Sequence, residues 1–598
     1  MWEREEQNLL WTVFERRVGW LQLLIVIVIV VLAGRVIWLQ LIRGKQLYRV
    51  AQENSIQVIR QPSPRGIIFD SNGTKLAINH PAFSVVFRPV DIDEETSHLV
   101  LDKLSNVLGV HRKWLEEQYQ RVKREPFGSF LVAENVSRGQ VFYISAHGFE
   151  MPGVEIESSP LRRYPYHEMG AHVLGHLGEI TADELSRLGL RGYRAGDVIG
   201  KAGVETAYDE YLRGRDGARQ IEVDSRGKRI RLIKEIEAES GSDVLLTLDW
   251  RLQEICEKAL YRHGVVCALQ PETGEVLALV SKPSFDPNLF AWRISRKEWN
   301  QLFEDESCPM LNRAVRGRYA PASTFKVITA LAGLETGSIT PATVYGCEGS
   351  FPVGNRVFRC WREEGHGRLT VVPAIVDSCD VFFYQAGLAC GPEEIAKYAK
   401  EFGLGERTRI DIGPEEEGFV PSKEWKRRNY GMSWFPGDTA NLSIGQGWIE
   451  VTPLQMAIVA SAIANGGKII TPYLVDRVVH HNNGEVILEN TPKIKRTLSL
   501  KPETLMLIRQ GMEGVVESGT GQASKVRGLR VAGKTGTAEN PRGDDHGWFI
   551  CYAPADAPEI ALVVLTEHGG MGGASAAPIA GRILREYFSS KKYSEALR

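Results

Sequence analysis

Ser323-Thr324-Phe325-Lys326 sets a hydroxyl and an amine three residues apart, and on a helix that spacing puts both on one face. A serine hydroxyl is a poor nucleophile until a base takes its proton, and a lysine can be that base only where its charged form is disfavoured. Two further groups follow in the chain, Ser378-Cys379-Asp380 and Lys534-Thr535-Gly536-Thr537. They add a second hydroxyl able to relay a proton, a carboxylate to orient it, and a cationic strand able to hold a substrate carboxylate. Burial and a neighbouring cation such as Lys534 would lower the Lys326 pKa. These are the parts of an acyl-transfer site that works through an acyl-serine.

Each part alone is weak. Ser225-Arg226-Gly227-Lys228 and Ser589-Ser590-Lys591-Lys592 also fit a bare Ser-x-x-Lys, and Ser284-Phe285-Asp286 fits Ser-x-Asp. Context separates the first group from these. Ser323 follows Ala320-Pro321-Ala322 and opens Phe325-Lys326-Val327-Ile328-Thr329-Ala330-Leu331, a good helix with a proline near its start.

The chain has 598 residues, enough for more than one domain. Its composition, 43% hydrophobic and 24% charged with formal net charge −2, gives no basic stripe for nucleic acid. No internal repeat appears. One run is unlike a soluble protein: Trp20 to Gly34 reads WLQLLIVIVIVVLAG, then Arg35 and Val36-Ile37-Trp38-Leu39. It is long and apolar enough to cross a bilayer, and no small-x-small cleavage site follows. The expectation is a tail at 1–17 and a single uncleaved anchor at 18–42. Arg16 and Arg17 precede the span, while Arg35, Arg43, Lys45 and Arg49 follow it, so charge alone does not place the N-terminus inside.

Beyond the anchor, Arg65-Gly66-Ile67-Ile68-Phe69-Asp70-Ser71-Asn72-Gly73 reads as a strand meeting an Asn-Gly turn. Residues 90–150 have helical periodicity. No catalytic constellation lies between 43 and 242, which reads as an extended pedestal domain. A boundary falls near Gly241-Ser242-Asp243, and 243–598 forms the second domain. There Val265 to Ser281 is two apolar runs around a Thr-Gly turn, a hairpin. His546 to Tyr552 and Ile560 to Leu565 look like adjacent antiparallel strands, and Ala577 to Tyr587 is a closing helix. Strands, a helical middle, then strands and a helix predict an α+β fold.

With the three motifs in this order, the chain after the anchor resembles the class B penicillin-binding proteins, and within them the elongation-type branch. The likeness extends through Arg65-Gly66, Asp70, Asn72-Gly73, Gly200-Lys201-Ala202-Gly203-Val204-Glu205, Ser281 to Asn288, Ser443-Ile444-Gly445-Gln446-Gly447 and Val451-Thr452-Pro453-Leu454-Gln455. Asp380, where most penicillin-recognising enzymes carry Asn, points to that branch. The resemblance implies D,D-transpeptidation of peptidoglycan stem peptides, acylation by β-lactams, and a penicillin-binding domain whose antiparallel sheet is flanked by helices. It further implies work beside a SEDS-family glycan polymerase and other elongation-complex membrane proteins. In these terms neutral Lys326 deprotonates Ser323, which attacks the penultimate D-alanine carbonyl. Ser378, oriented by Asp380 and Lys326, passes the proton to the leaving amine. Lys534 and Thr535 bind the carboxylate, Gly536 keeps the strand clear, and the N–H groups of Ser323 and Thr537 form the oxyanion hole. The donor peptide then lies along the Lys-Thr-Gly strand as an added strand. Because the wall lies outside, the chain is expected to be single-pass in the inner (cytoplasmic) membrane, with 1–17 in the cytoplasm and the bulk in the periplasm or extracytoplasmic space.

All eight cysteines lie beyond residue 250. Cys347, Cys360, His366 and Cys379 read C-x12-C-x5-H-x12-C, and three thiolates with one imidazole make a closed tetrahedral zinc shell. A Cys347–Cys360 disulfide across a hairpin, or buried thiols, are the alternatives. Relatives with a zinc site resemble this chain at the same four places, often with Asp for Cys347 and Cys360; soft ligands there should tighten zinc. The metal would be structural, and none is required for the acyl transfer itself. His546 and His568 receive no role, Trp361 beside Cys360 is read as core with a wall of the cleft as the alternative, and Gly569 to Gly573 is a loop without the lysine of a phosphate cradle. No Glu-x-x-Leu-Asn stretch to activate a deacylating water is present, which favours transfer to an amine; D,D-carboxypeptidase activity is the alternative chemistry. A scaffold activating the polymerase, and a membrane β-lactam sensor, are the competing functions; residues 1–17 are short for a sensor's output domain.

Overall fold

The computed structural model describes residues 2–46, 56–89, 92–123, 128–223, 229–291, 294, 296–541 and 543–596. Arg49 and the Ser225–Lys228 match lie outside the described residues. A single helix, Trp2–Ile37, continues into a π-helical turn, Trp38–Ile42. Its segment Arg16–Ile42 is long and apolar enough to cross a membrane, and none of its apolar window is buried by protein. The expected anchor is therefore one helix, and it begins well before the apolar run. Arg35 and Arg43 both lay their guanidinium groups over the Trp38 ring, 4.4 and 4.8 Å from its centroid, at the end of that segment.

Two compact units follow from the packing. One comprises residues 1–62, 82–159 and 216–238. Its strands Ile56–Gln61, Gly217–Val223 and Arg229–Ile236 form an antiparallel sheet. Its helix Glu94–Leu108 starts at Asp93, whose carboxylate accepts from Thr96 N, and stops at Gly109, where φ is +69°. The apolar residues Val100, Leu101 and Leu104 recur on one helix face and are fully buried with Leu115 and Phe87.

The other unit comprises residues 63–81, 160–215 and 239–598. At its centre is a five-stranded antiparallel sheet in the order Val276–Lys282, Gly264–Leu269, Ile560–Thr566, His546–Ala553, Ala532–Ala538. The first pair is the expected hairpin, turning at Gly274 with φ +80°. Alternation along the strands serves two cores. Val265 and Cys267 face one cluster, with the wholly buried helix Pro453–Ala464; Val266 and Ala268 face the other, with helices Trp250–Ala259 and Gly572–Ala596. The sheet is thus sandwiched between helical layers, as the α+β reading requires. The closing helix is longer than Ala577 to Tyr587 and carries Pro578 within its first turns.

The segments before residue 242 in this unit are tied in by buried charge. Glu205 has no exposure and accepts from Arg162 Nε at 2.6 Å and Arg65 Nη2 at 2.9 Å; Arg65 also reaches Asp209 at 2.8 Å. Tyr164 and Tyr193 hydroxyls donate to the same two carboxylates. Asp70 accepts from Asn72 N, Thr74 N and Trp250 N, which closes the Asn72-Gly73 turn onto the next helix. The Arg65-Gly66 and Gly200 to Glu205 motifs are therefore structural, with every charge paired as a buried charge must be.

Candidate active site

Ser323 stands in a 3-10 turn, Ala322–Phe325, that runs directly into helix Lys326–Thr336. The turn is held from below: Ala322 N donates to Gly445 O at 2.8 Å, and Ala322 sits at φ +51°, a strained conformation for a residue with a side chain. Ser378 ends the turn after helix Val371–Val376, also left-handed at φ +54°, and Asp380 opens helix Asp380–Cys390. Lys534 lies on the edge strand Ala532–Ala538, opposite Ile550 and on the sheet face covered by the helical layer.

The three segments converge on one hydroxyl. Lys534 Nζ donates to Ser378 Oγ at 2.8 Å and Lys326 Nζ to the same oxygen at 3.3 Å. Lys326 Nζ also reaches Ser378 O at 2.8 Å and Asp380 Oδ1 at 2.6 Å. Both amines are fully buried. Burial first, and the nearby Lys326 charge second, hold the Lys534 ammonium well below its ordinary range. Lys326 is different from the sequence expectation. Its partners are Ser378 and Asp380; Ser323, half-buried one turn ahead, is not among its hydrogen-bond partners within the described residues. Asp380 and Ser378 occupy the amine in its place.

The rest of the strand is shaped for an extended ligand. It is the outermost strand of its sheet, with one side unpaired among the described residues. Thr535 Oγ1 is 2.6 Å from Thr520 Oγ1, and Thr537 O accepts from Gln446 Nε2 at 3.2 Å. A Cβ on Gly536 would lie 3.0 Å from Thr324 Cγ2 and 3.2 Å from Pro321 O, so glycine lets the strand approach the Ser323 turn. Thr520 carried no signal in the sequence; Gln446 was visible only as part of a quoted motif. Trp361 is a correction. Its side chain is 56% exposed, its N–H donates to Asp380 Oδ2 at 2.9 Å and its indole to Asp377 O at 3.0 Å, so it braces the Ser378 turn from outside the core.

Cys347, Cys360, His366 and Cys379 do meet: one ligand atom from each lies within 4.8 Å of all the others. His366 Nδ1 is 3.6 Å from Cys347 Sγ and 3.5 Å from Cys360 Sγ. A tetrahedral ion with Zn–S about 2.3 Å and Zn–N about 2.0–2.1 Å has N-to-S edges of about 3.5–3.6 Å, so these residues fit zinc. The cysteines are unbridged here, including Cys347 and Cys360. The loops are folded tightly to bring them in: a Cβ on Gly365 would lie 2.2 Å from Cys347 O, and His366 N donates to that same carbonyl.

Two buried lysines on one serine hydroxyl, the second of them on an edge strand, and a sheet between helical layers define a penicillin-recognising acyltransferase. Family comparison agrees. Residues 264–585 match the penicillin binding protein transpeptidase domain, and 60–246 the penicillin-binding protein dimerisation domain. The peptidoglycan D,D-transpeptidase MrdA of Acinetobacter baumannii is 34% identical over 588 residues, covering 95% of this chain and 87% of the relative. Penicillin-binding protein PBP2 of Helicobacter pylori, solved in complex with MreC, has a TM-score of 0.78 at 27% identity, over 90% of this chain and 100% of that one. A chain from a peptidoglycan synthase complex that coordinates polymerization and crosslinking has a TM-score of 0.73 at 31% identity, over 96% and 98%. The chain belongs to the class B penicillin-binding proteins of the PBP2 type, the peptidoglycan D,D-transpeptidases.

Proposed function

We propose that this chain cross-links peptidoglycan stem peptides through an acyl-enzyme on Ser323, and that β-lactams acylate the same hydroxyl. One observation carries the assignment of residues: two fully buried lysines share the Ser378 hydroxyl beside an open strand edge. The resting arrangement suits a chain of proton transfers started by substrate. A peptide carboxylate arriving at Lys534 and Thr535 favours the charged form of Lys534. A proton then passes from Lys326 through Ser378 Oγ to Lys534, and Lys326 becomes the neutral base for Ser323. Ser323 Oγ gives its proton to Lys326 and bonds to the penultimate D-alanine carbonyl carbon, the C–N bond breaks, and Ser378 delivers a proton to the departing D-alanine amine as Lys326 returns one to Ser378. An acceptor amine reverses these steps and releases the cross-linked peptide. Asp380 orients Lys326, Gly536 keeps the approach clear, and the N–H groups of Ser323 and Thr537 meet the oxyanion.

The division at 43–242 and 243–598, with 63–81 and 160–215 packed into the second compact unit, the inner-membrane anchor at 18–42 with the bulk outside, and assembly with a SEDS-family polymerase and elongation-complex proteins belong to the same reading. Support comes from the apolar helix and from the relatives solved with MreC and within a synthase complex. Zinc bound by Cys347, Cys360, His366 and Cys379 would serve as structural support, fixing the turn that carries Ser378 and Asp380.

Fluorescent penicillin applied to the full-length protein in detergent tests the assignment. The adduct should map to Ser323 by mass spectrometry and be absent from Ser323→Ala; an adduct on another side chain would refute it. Supplying a D,D-pentapeptide with and without an amine acceptor then separates cross-linking from carboxypeptidase hydrolysis. Stimulation of a co-purified polymerase by Ser323→Ala would identify scaffolding as a separate role.

A further inference from the structure

Tyr430, Phe435 and Trp448 form an aromatic platform on the catalytic unit. Tyr430 is 51% exposed, Phe435 55%, and Trp448 is half-buried. The Tyr430 and Trp448 rings are 5.8 Å apart with planes only 30° from parallel, and Trp425 backs both at 5.4 and 5.6 Å. Phe435 and Trp448 share an ion pair whose amine is buried. Lys426, 2% exposed, pairs with Asp438, and its Nζ lies 4.6 Å from the Phe435 ring centre and 4.9 Å from that of Trp448. Asp438 also accepts from Phe435 N at 2.7 Å. The rings are thus fixed from beneath, and several large aromatic faces stay in water, which a folded surface seldom leaves without use.

Trp448 ties the platform to the substrate strand along the chain. Trp448 lies two residues from Gln446, whose amide donates to Thr537 O on the substrate strand. Three residues beyond it, Val451 exchanges two backbone hydrogen bonds with Tyr319, at 3.0 and 2.8 Å, just ahead of Ser323. The substrate itself supplies the occupant. A stem peptide hangs from a sugar chain, and about five extended residues reach no further than roughly 17 Å. Any stem peptide on Ser323 therefore brings its amino-sugar backbone close to the cleft mouth. Pyranose rings offer a face of C–H groups rimmed by hydroxyls. That face carries the positive edge that an aromatic quadrupole attracts, and it suits flat, rigid rings better than deep pockets.

We infer that Tyr430, Phe435 and Trp448 are a binding platform for the glycan backbone of peptidoglycan. This rests on the transpeptidase reading, adding a subsite for the sugar chain to the site that handles the peptide. The platform positions a strand beside the cleft, so its contribution is to the affinity for polymerised or amino-sugar-bearing substrate, not to bond breaking.

The test uses full-length protein in detergent and peptide-free glycan strands of alternating N-acetylated amino sugars, with binding followed by tryptophan fluorescence and by co-sedimentation. Wild type should bind. Tyr430→Ala and Phe435→Ala should each weaken binding by roughly tenfold, as loss of one ring contact does, and Tyr430→Phe should restore it. Circular dichroism melts establish that each variant is folded; Phe435→Leu replaces any that is not. Absence of strand binding by wild type that is still acylated at Ser323 overturns the platform alone. Wild type that is not acylated at Ser323 overturns the transpeptidase assignment, and the platform falls with it. If the ring substitutions instead dissolve a dimer in analytical ultracentrifugation, the occupant is a second copy of the chain and the glycan assignment is wrong.

Discussion

Lys326 Nζ lies 2.6 Å from Asp380 Oδ1, with the amine fully buried and the carboxylate nearly so. The second carboxylate oxygen is held by Trp361 N at 2.9 Å. Two helices and a surface loop therefore meet at one acid, which fixes where the proposed base points.

Removing that acid leaves an unmatched buried cation. Asp380→Ala should lower unfolding stability by about 3–5 kcal/mol, the usual loss when one partner of a buried pair is deleted. Acylation by penicillin should fall by about a hundredfold or more, as when a proton-transfer group is misplaced. Denaturant unfolding and stopped-flow acylation read the two effects separately, and unchanged acylation would remove Asp380 from the mechanism.

Lys534 should cost the fold stability. Its pKa is depressed by burial and then by Lys326. A lysine whose folded pKa lies below its unfolded value is penalised in full below the folded pKa. The penalty shrinks as pH rises and vanishes above its ordinary value of 10.5. Lys534→Met should therefore melt higher than wild type at neutral pH, with the difference closing on the alkaline side, while penicillin acylation collapses. Melting curves from pH 6 upward (roughly to pH 10.5) decide it; a variant that melts lower at neutral pH contradicts the sign.

Gly445 tests how the nucleophile turn is held. Its φ is +72°, and a Cβ there would lie 2.3 Å from Ala322 O and 2.6 Å from Phe325 Cβ. Gly445→Ala should destabilise by about 1–3 kcal/mol and slow acylation by shifting Ser323, while leaving the identity of every side chain of the site unchanged. Adduct formation at the wild-type rate would show that the turn is supported elsewhere.

Metal analysis should find about one zinc per chain, as a closed four-ligand shell implies. Cys360→Ala should lose it, and chelation should lower the melting temperature and slow acylation, because an ion bound to the folded state alone stabilises that state. Zinc-free protein with a Cys347–Cys360 bridge in its peptide map would reject the site.

Much of this site was legible because it is local. Ser323 and Lys326 share a turn, Asn72-Gly73 forces a reversal, and Thr273-Gly274 closes a hairpin; short-range sterics decide all three. The cysteine spacing was also legible, since a ligand set is a matter of residue type and order. What could not be read is long-range. Nothing in the sequence near Lys326 says that its amine turns to Asp380 in preference to Ser323, because that depends on how helix Asp380–Cys390 packs. Trp361 reads as core by composition, yet it is exposed, since its two N–H groups are engaged by the Ser378 turn. The sheet order was equally hidden: Gly264–Leu269 pairs with Ile560–Thr566 from the far end of the chain.

The packing around the Glu205 network has a practical consequence for anyone who would shorten the chain. Ile68 and Phe69 pair in parallel with Val244 and Leu245, and Asn288 clasps the backbone of Tyr164 with both amide atoms. A fragment beginning at residue 243 would discard the neighbouring strand, one anchor of helix Trp250–Ala259 and the backbone that Asn288 grips. Such a truncation should yield insoluble or poorly folded material, whereas a version cut just after the apolar helix, Arg16–Ile42, keeps every piece.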